Sequence, residues 1–169
     1  MRRVVTGHTP EGKATFVSDE DVPPTLGRFH ELWSSDVAPT FPDDGKQHPA
    51  KLWFPPVGGF RFATFTVAPH SERPADYDPV AASRKTEAAL PGLTSQANHE
   101  RDNPGMHTTD TIDFEYVVSG EVWLELDDGE EVHLRPGDTV VQNGTRHAWR
   151  NKGTVPCTMV VFLLGAHRR

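Results

Sequence analysis

The sequence predicts an all-β chain that closes into an antiparallel barrel or sandwich. Three observations carry this. Short runs alternate apolar and polar residues with period two, as in Val122, Leu124 and Leu126 against Glu121, Trp123 and Glu125. Turn-forming pairs punctuate the runs at Ser119-Gly120, Asp128-Gly129, Pro136-Gly137-Asp138 and Asn143-Gly144. One stretch alone, residues 80–90 (VAASRKTEAAL), is built of strong helix formers.

Taken in order, residues 1–35 read as an N-terminal arm. Residues 3–6 and 14–17 are short strands around the turn Thr9-Pro10-Glu11-Gly12, and residues 31–33 suggest another. Such an arm cannot bury both of its faces alone, so it is expected to pair with the body or with a second subunit. Residues 36–59 are rich in Pro, Gly and Asp and read as a surface connection, with Leu52-Trp53-Phe54-Pro55-Pro56 as a local apolar cluster. Residues 60–67 (FRFATFTV) form a strand, with Phe60, Phe62 and Thr64 on one face.

Residues 69–104 are an insert. Mixed charges and prolines precede the helix, and Pro91-Gly92 stops it. Its position before His107 makes it either a lid or wall of a pocket, or a surface loop. Residues 106–164 form the barrel core. Strands are expected over 112–118, 121–127, 131–135, 139–142, 147–150 and 155–164.

The 169 residues suit a single domain without internal repeats. Hydrophobic content of 36% allows a core of useful size. A net charge of −7 and no basic stripe argue against a nucleic-acid partner. The single cysteine, Cys157, lies in an apolar strand and reads as a buried, inert thiol. The start lacks the apolar stretch of a signal peptide, and no run of 18 apolar residues suggests a membrane span. The expected location is therefore cytoplasmic, with no membrane partner.

The block from 106 to 151 resembles the cupins, whose motifs are G(X)5HXH(X)3,4E(X)6G and G(X)5PXG(X)2H(X)3N. In the first, His107 fits the first histidine, Asp113 stands where the glutamate belongs and Gly120 fits the closing glycine. Thr109 stands where the second histidine belongs. In the second, Gly144, His147 and Asn151 fit the last half, while Gln142 replaces the proline. The resemblance implies a double-stranded β-helix, or jelly-roll barrel, with a strand arm and one short helix in an insert. It also implies a homodimer, because arms of this kind often exchange in that family.

His107, Thr109, Thr111, Asp113 and Glu115 share parity on one extended stretch and point to one face. If that face is inward, His107, His147 and Asp113 make a 2-His-1-carboxylate set with open positions. Such a set suits a divalent metal ion: Fe, Mn, Ni or Zn. Glu115 is the alternative carboxylate. Glu115 and Asp110 are the candidate acid–base groups. His99, Asp102 and Asp110 lie on a predicted loop nearby and rank below Asp113 and Glu115. Met106, Thr109, Trp123, Trp149 and Phe162 are candidate pocket residues. Non-metal roles stand beside these: hydrogen-bonded interior histidines, a carboxylate that holds a histidine or a turn amide, and a rim charge at Glu115.

Three functions follow. The first is a metal-dependent enzyme on a small acidic or aromatic metabolite, a lyase such as a decarboxylase or dehydratase, or a dioxygenase. The second is a metal-free cupin that binds a small molecule without catalysis. The third is a purely structural dimeric barrel.

Overall fold

A computed structural model describes residues 1–169 except 49, 73, 75, 96–99, 101 and 102. Strands dominate, as the period-two runs require. Strands β1 (Arg2–His8) and β2 (Ala14–Asp21) form an antiparallel hairpin, a two-stranded sheet of its own. Strands β3 (His30–Ser35), β4 (Phe60–Val67), β5 (Thr111–Ser119), β8 (Thr139–Gln142) and β10 (Cys157–Gly165) make a five-stranded sheet in the order β3-β4-β10-β5-β8. Strands β6 (Val122–Glu125), β7 (Glu131–Leu134) and β9 (Ala148–Arg150) make a three-stranded sheet in the order β7-β6-β9. All named pairings are antiparallel. This is the cupin type of β-barrel that the sequence predicts, with one short helix.

The turns work as their chemistry dictates. Asp128-Gly129 carries φ of +57° and +74°, the left-handed geometry that joins β6 to β7. Gly120 lies at φ +74°, where a side-chain carbon would collide with the Pro156 carbonyl.

The two larger sheets meet through Val117, Val122, Leu124, Leu134, Cys157 and Met159, all buried. Cys157 is a buried free thiol, and burial together with the Glu121 charge pushes it up to about 11. A second apolar cluster joins Trp53, Ala63, Leu90, Val161 and Leu163. It answers the question left by the insert. Helix α1 (Pro79–Ala89) starts on Asp78, whose carboxylate accepts from the Val80 and Ala81 amides. Leu90, at its end, is buried against Trp53, Val161 and Leu163. Among its described residues, the insert is thus anchored on the barrel through Leu90.

The outer face of the five-stranded sheet is apolar too. Phe62, Phe114, Tyr116, Val118 and Val141 stand exposed there. Phe162 stacks on Phe60 with ring centroids 5.5 Å apart and lies 6.5 Å from Phe114. Phe162 therefore belongs to this outer face and not to an interior pocket, because β10 alternates and its inward positions are Met159, Val161 and Leu163. Among the described residues no helix is long and apolar enough to cross a membrane.

Candidate functional site

The site begins with β5. Its inward side chains run Thr111, Asp113, Glu115, Val117. Val117 joins the apolar floor, so the strand turns polar towards the residues that precede it. On β10, Val161 lies opposite Glu115 and Leu163 opposite Asp113. On β8, Val140 lies opposite Glu115 and Gln142 opposite Asp113. Two carboxyls thus stand among largely aliphatic neighbours.

The electrostatic consequence is direct. Asp113 is 4% exposed and Glu115 is 6% exposed. Burial pushes Asp113 from 3.8 up to about 6, and a hydrogen bond from Thr111 pulls partly the other way. Burial raises Glu115 well above the ordinary glutamate value, and the neighbouring Asp113 charge adds to the rise. One oxygen of each carboxyl, Asp113 Oδ1 and Glu115 Oε2, is buried without a hydrogen-bond partner. Burial thus favours the protonated form of both carboxyls, Asp113 raised to about 6 and Glu115 well above its ordinary value.

The two histidines form a separate pair. His107 and His147 exchange backbone hydrogen bonds of 2.9 Å in both directions, and their ring centroids lie 4.3 Å apart. His107 Nδ1 donates to the Gly105 carbonyl and His147 Nδ1 to the Thr145 carbonyl, each at 2.9 Å. A carbonyl only accepts, so Nδ1 carries a proton in each ring. Burial lowers His147, which keeps it neutral. Gln142, at the position of the family's proline, donates to the Thr145 carbonyl at 3.0 Å and holds the turn that presents His147. Asn151 is also a brace. Its amide donates to the Val67 and Val155 carbonyls, both at 2.9 Å.

Arginines pin the end of the insert beside this pair. Arg150 bonds Glu125 at 2.5 Å, Asn103 at 2.7 Å and the Pro104 carbonyl at 2.6 Å. Arg146 pairs with Glu100 and Asp127. The arginine charges hold Glu100 and Glu125 below the usual carboxylate range.

The three-ligand set expected from the sequence is not assembled. Among the described residues no three His, Cys, Asp or Glu side chains converge closely enough to hold a metal. The His107 and His147 rings lie side by side, and among the described residues Asp113 does not join them in one such group. His99 and Asp102 lie outside the described residues.

The other expectations divide. Thr109 is buried and its hydroxyl bonds that of Thr111 at 2.9 Å. Asp110 is not an interior acid or base: it is exposed and paired with Arg168. Met106 is fully buried, and Trp149 lies 6.1 Å from His147, centroid to centroid. Trp123 stacks flat on His133 at 4.0 Å, on the side of β6 opposite to buried Val122 and Leu124. It lines no interior pocket. Sequence reasoning placed Thr111 on the right face without giving it a role, and passed over Lys51. Parity was the available signal for Thr111. Lys51 lies in an aperiodic connection and carries none.

A cleft of about 720 Å³ opens beside Thr109, lined by Lys51, Phe54, Pro55, Pro56, Thr109 and Asp110 among others. His107 and His147 are not among its lining residues.

Comparison with known proteins follows the same geometry. Residues 95–163 match the Cupin domain family. The cupin-domain-containing oxidoreductase fogC of Aspergillus ruber is 30% identical over 167 residues, covering 96% of this chain and 71% of that protein. Phomopsin biosynthesis cluster protein C′ of Diaporthe leptostromiformis is 45% identical over 58 residues, covering 34% of this chain and 31% of that protein. The match thus spans about a third of that relative's length. A double-stranded β-helix protein from Klebsiella pneumoniae is 15% identical with a TM-score of 0.45, covering 86% of this chain and 84% of that one.

Proposed function

The chain belongs to the cupin family, and from that premise we propose that it is an enzyme that moves protons on a small acidic or aromatic molecule, with Asp113 as base and Glu115 as acid. The observation that carries this is the pair of adjacent buried carboxyls, each with an oxygen that bonds nothing. Burial raises both carboxyls, and two adjacent acids of this kind can divide the acid and base roles between them. An ionised Asp113 accepts a proton from carbon or oxygen, and a neutral Glu115 gives one to a leaving oxygen. The reaction class is a lyase step, dehydration or decarboxylation.

The adjacent imidazoles of His107 and His147 could fill two positions of an Fe, Mn, Ni or Zn shell. The described residues supply no third donor, so no step here runs through a metal. A second reading, oxidation or reduction of the same class of molecule, is favoured by one observation: a relative matched over nearly the whole chain is named an oxidoreductase.

We also propose a homodimer. Phe62, Phe114, Tyr116, Val118 and Val141 form an exposed apolar face, and the β1–β2 hairpin exposes Phe16 at 77%. Apolar patches of this kind mark protein contacts.

The functional test is proton exchange. Small hydroxy, keto and aromatic acids are incubated with the protein in D₂O, and deuterium entry is read by NMR. The expected result is incorporation into at least one acid by the wild type, lost in both Asp113→Asn and Glu115→Gln. Wild-type rates in both variants would defeat the proposal and leave the non-catalytic binding cupin.

A further inference from the structure

The cleft beside Thr109 has a definite charge balance. Asp36 is neutralised by Arg61 at 2.6 Å, and Asp110 by Arg168. Arg61 is almost wholly buried and has no donor left for a ligand. Its Nε donates to the Leu52 carbonyl at 3.2 Å. Its Nη1 donates to the Ser35 and Phe60 carbonyls at 2.9 and 2.8 Å. Its Nη2 donates to Asp36 and the Leu52 carbonyl at 2.6 and 2.7 Å. Lys51 differs: among the described residues its ammonium makes no ion pair. In a chain of net charge −7, the uncompensated charge of this cleft is a cation. Phe54, Pro55, Pro56 and Val57 supply an apolar wall.

The inner end of the cleft is a hydroxyl. Thr109 lines it and bonds Thr111 at 2.9 Å. Thr109, Thr111, Asp113 and Glu115 share one face of one extended stretch, two residues apart, and all are buried. The bonded hydroxyl pair thus stands on the strand face that carries Asp113 and Glu115.

We propose that this cleft is the binding site for a small carboxylic acid with an apolar or aromatic body, its carboxylate paired to Lys51, and that the Thr109 and Thr111 hydroxyls carry a proton between the bound molecule and Asp113. This rests on the proton-transfer reading above and names its substrate class and route. The proton balance is simple. The bound molecule gives a proton to Thr109 Oγ1 as Thr109 passes its own to Thr111 Oγ1 and Thr111 passes its own to Asp113. The molecule ends one unit more negative, Asp113 ends neutral, and both hydroxyls are restored.

The binding half is tested with benzoate and its uncharged analogue benzamide, titrated into the full chain by calorimetry. Benzoate binds more tightly than benzamide, and Lys51→Met removes the preference, about a fivefold loss for benzoate at low salt with benzamide unchanged. Equal binding of the two probes to the wild type, or a preference that survives Lys51→Met, overturns the site. The relay half is read from exchange of the Thr111 hydroxyl proton with water by NMR. Thr109→Val slows that exchange at least about tenfold while Asp113 still titrates near 6; unchanged exchange overturns the relay. Both readouts are independent of turnover. If they succeed while Asp113→Asn and Glu115→Gln keep full deuterium exchange, the cleft stands and the proton-transfer reading falls.

Discussion

Replacing Asp113 by asparagine should make the protein more stable at neutral pH, and the gain should vanish in acid. The magnitude follows from the burial of one carboxyl. Asp113 titrates near 6 in the fold against 3.8 in the open chain. At about 1.36 kcal/mol per unit, the ionised side chain costs the fold about 3 kcal/mol. No discount for solvent applies, because the residue is 4% exposed. The folded value lies above the unfolded one, so the sign is fixed. Below 3.8 both states are protonated and the cost is absent. It grows as pH rises from 3.8 to about 6, and it is constant above that. Asparagine has nearly the same shape, keeps an acceptor for Thr111 and never ionises. Urea unfolding of wild type and Asp113→Asn, from about pH 3.5 to about pH 7.5, reads the difference directly. Its pH-dependent part should be about 3 kcal/mol in favour of the variant at the upper end. A difference flat with pH, or one that favours the wild type more as pH rises, would refute the reasoning.

Three further outcomes are expected. Leu90→Ala should cost about 2–5 kcal/mol, the price of a cavity against Trp53, Val161 and Leu163. Limited proteolysis should then cut within residues 69–104 faster than in the wild type. Phe114→Glu, placed in the exposed apolar sheet face, should convert a dimer to a monomer in light scattering coupled to gel filtration; a monomeric wild type would contradict the dimer. Protein purified without a histidine tag should hold divalent metal weakly and below one ion per chain, and His147→Ala should remove what is held. Tight, stoichiometric metal would require a third donor that the described residues do not provide.

Much of the fold was legible because turn chemistry and period two are local. The strands around Asp128-Gly129 and Asn143-Gly144 lie where those pairs place them, and α1 sits within a residue of the run that predicts it. His107 and His147 were legible from motif spacing, and the structure brings their rings together. Parity also put Thr111, Asp113 and Glu115 on one face. It could not say which of two apolar faces of β10 is inside, since Val160, Phe162 and Leu164 alternate with Met159, Val161 and Leu163. That ambiguity sent Phe162 to the pocket, when it belongs to the outer sheet face. Asp110 stands on the loop expected for it, but its partner, Arg168, lies 58 residues away and meets it only in the folded chain. Arg61 is a buried brace satisfied by the carbonyls of Leu52 and Ser35, which lie far from it in the chain and which no local pattern pairs with it. The burial of the carboxyl pair depends on neighbours from β8 and β10, which no local pattern encodes.

The central claim is that Asp113 and Glu115 are a buried pair with separated titrations. Carbon-13 NMR of the side-chain carboxyls, followed through a pH titration and assigned with Asp113→Asn and Glu115→Gln, tests it most directly. The account predicts one aspartate carboxyl titrating near 6 and one glutamate carboxyl titrating well above the ordinary glutamate range. Both carboxyls titrating near about 4, like exposed side chains, would contradict it.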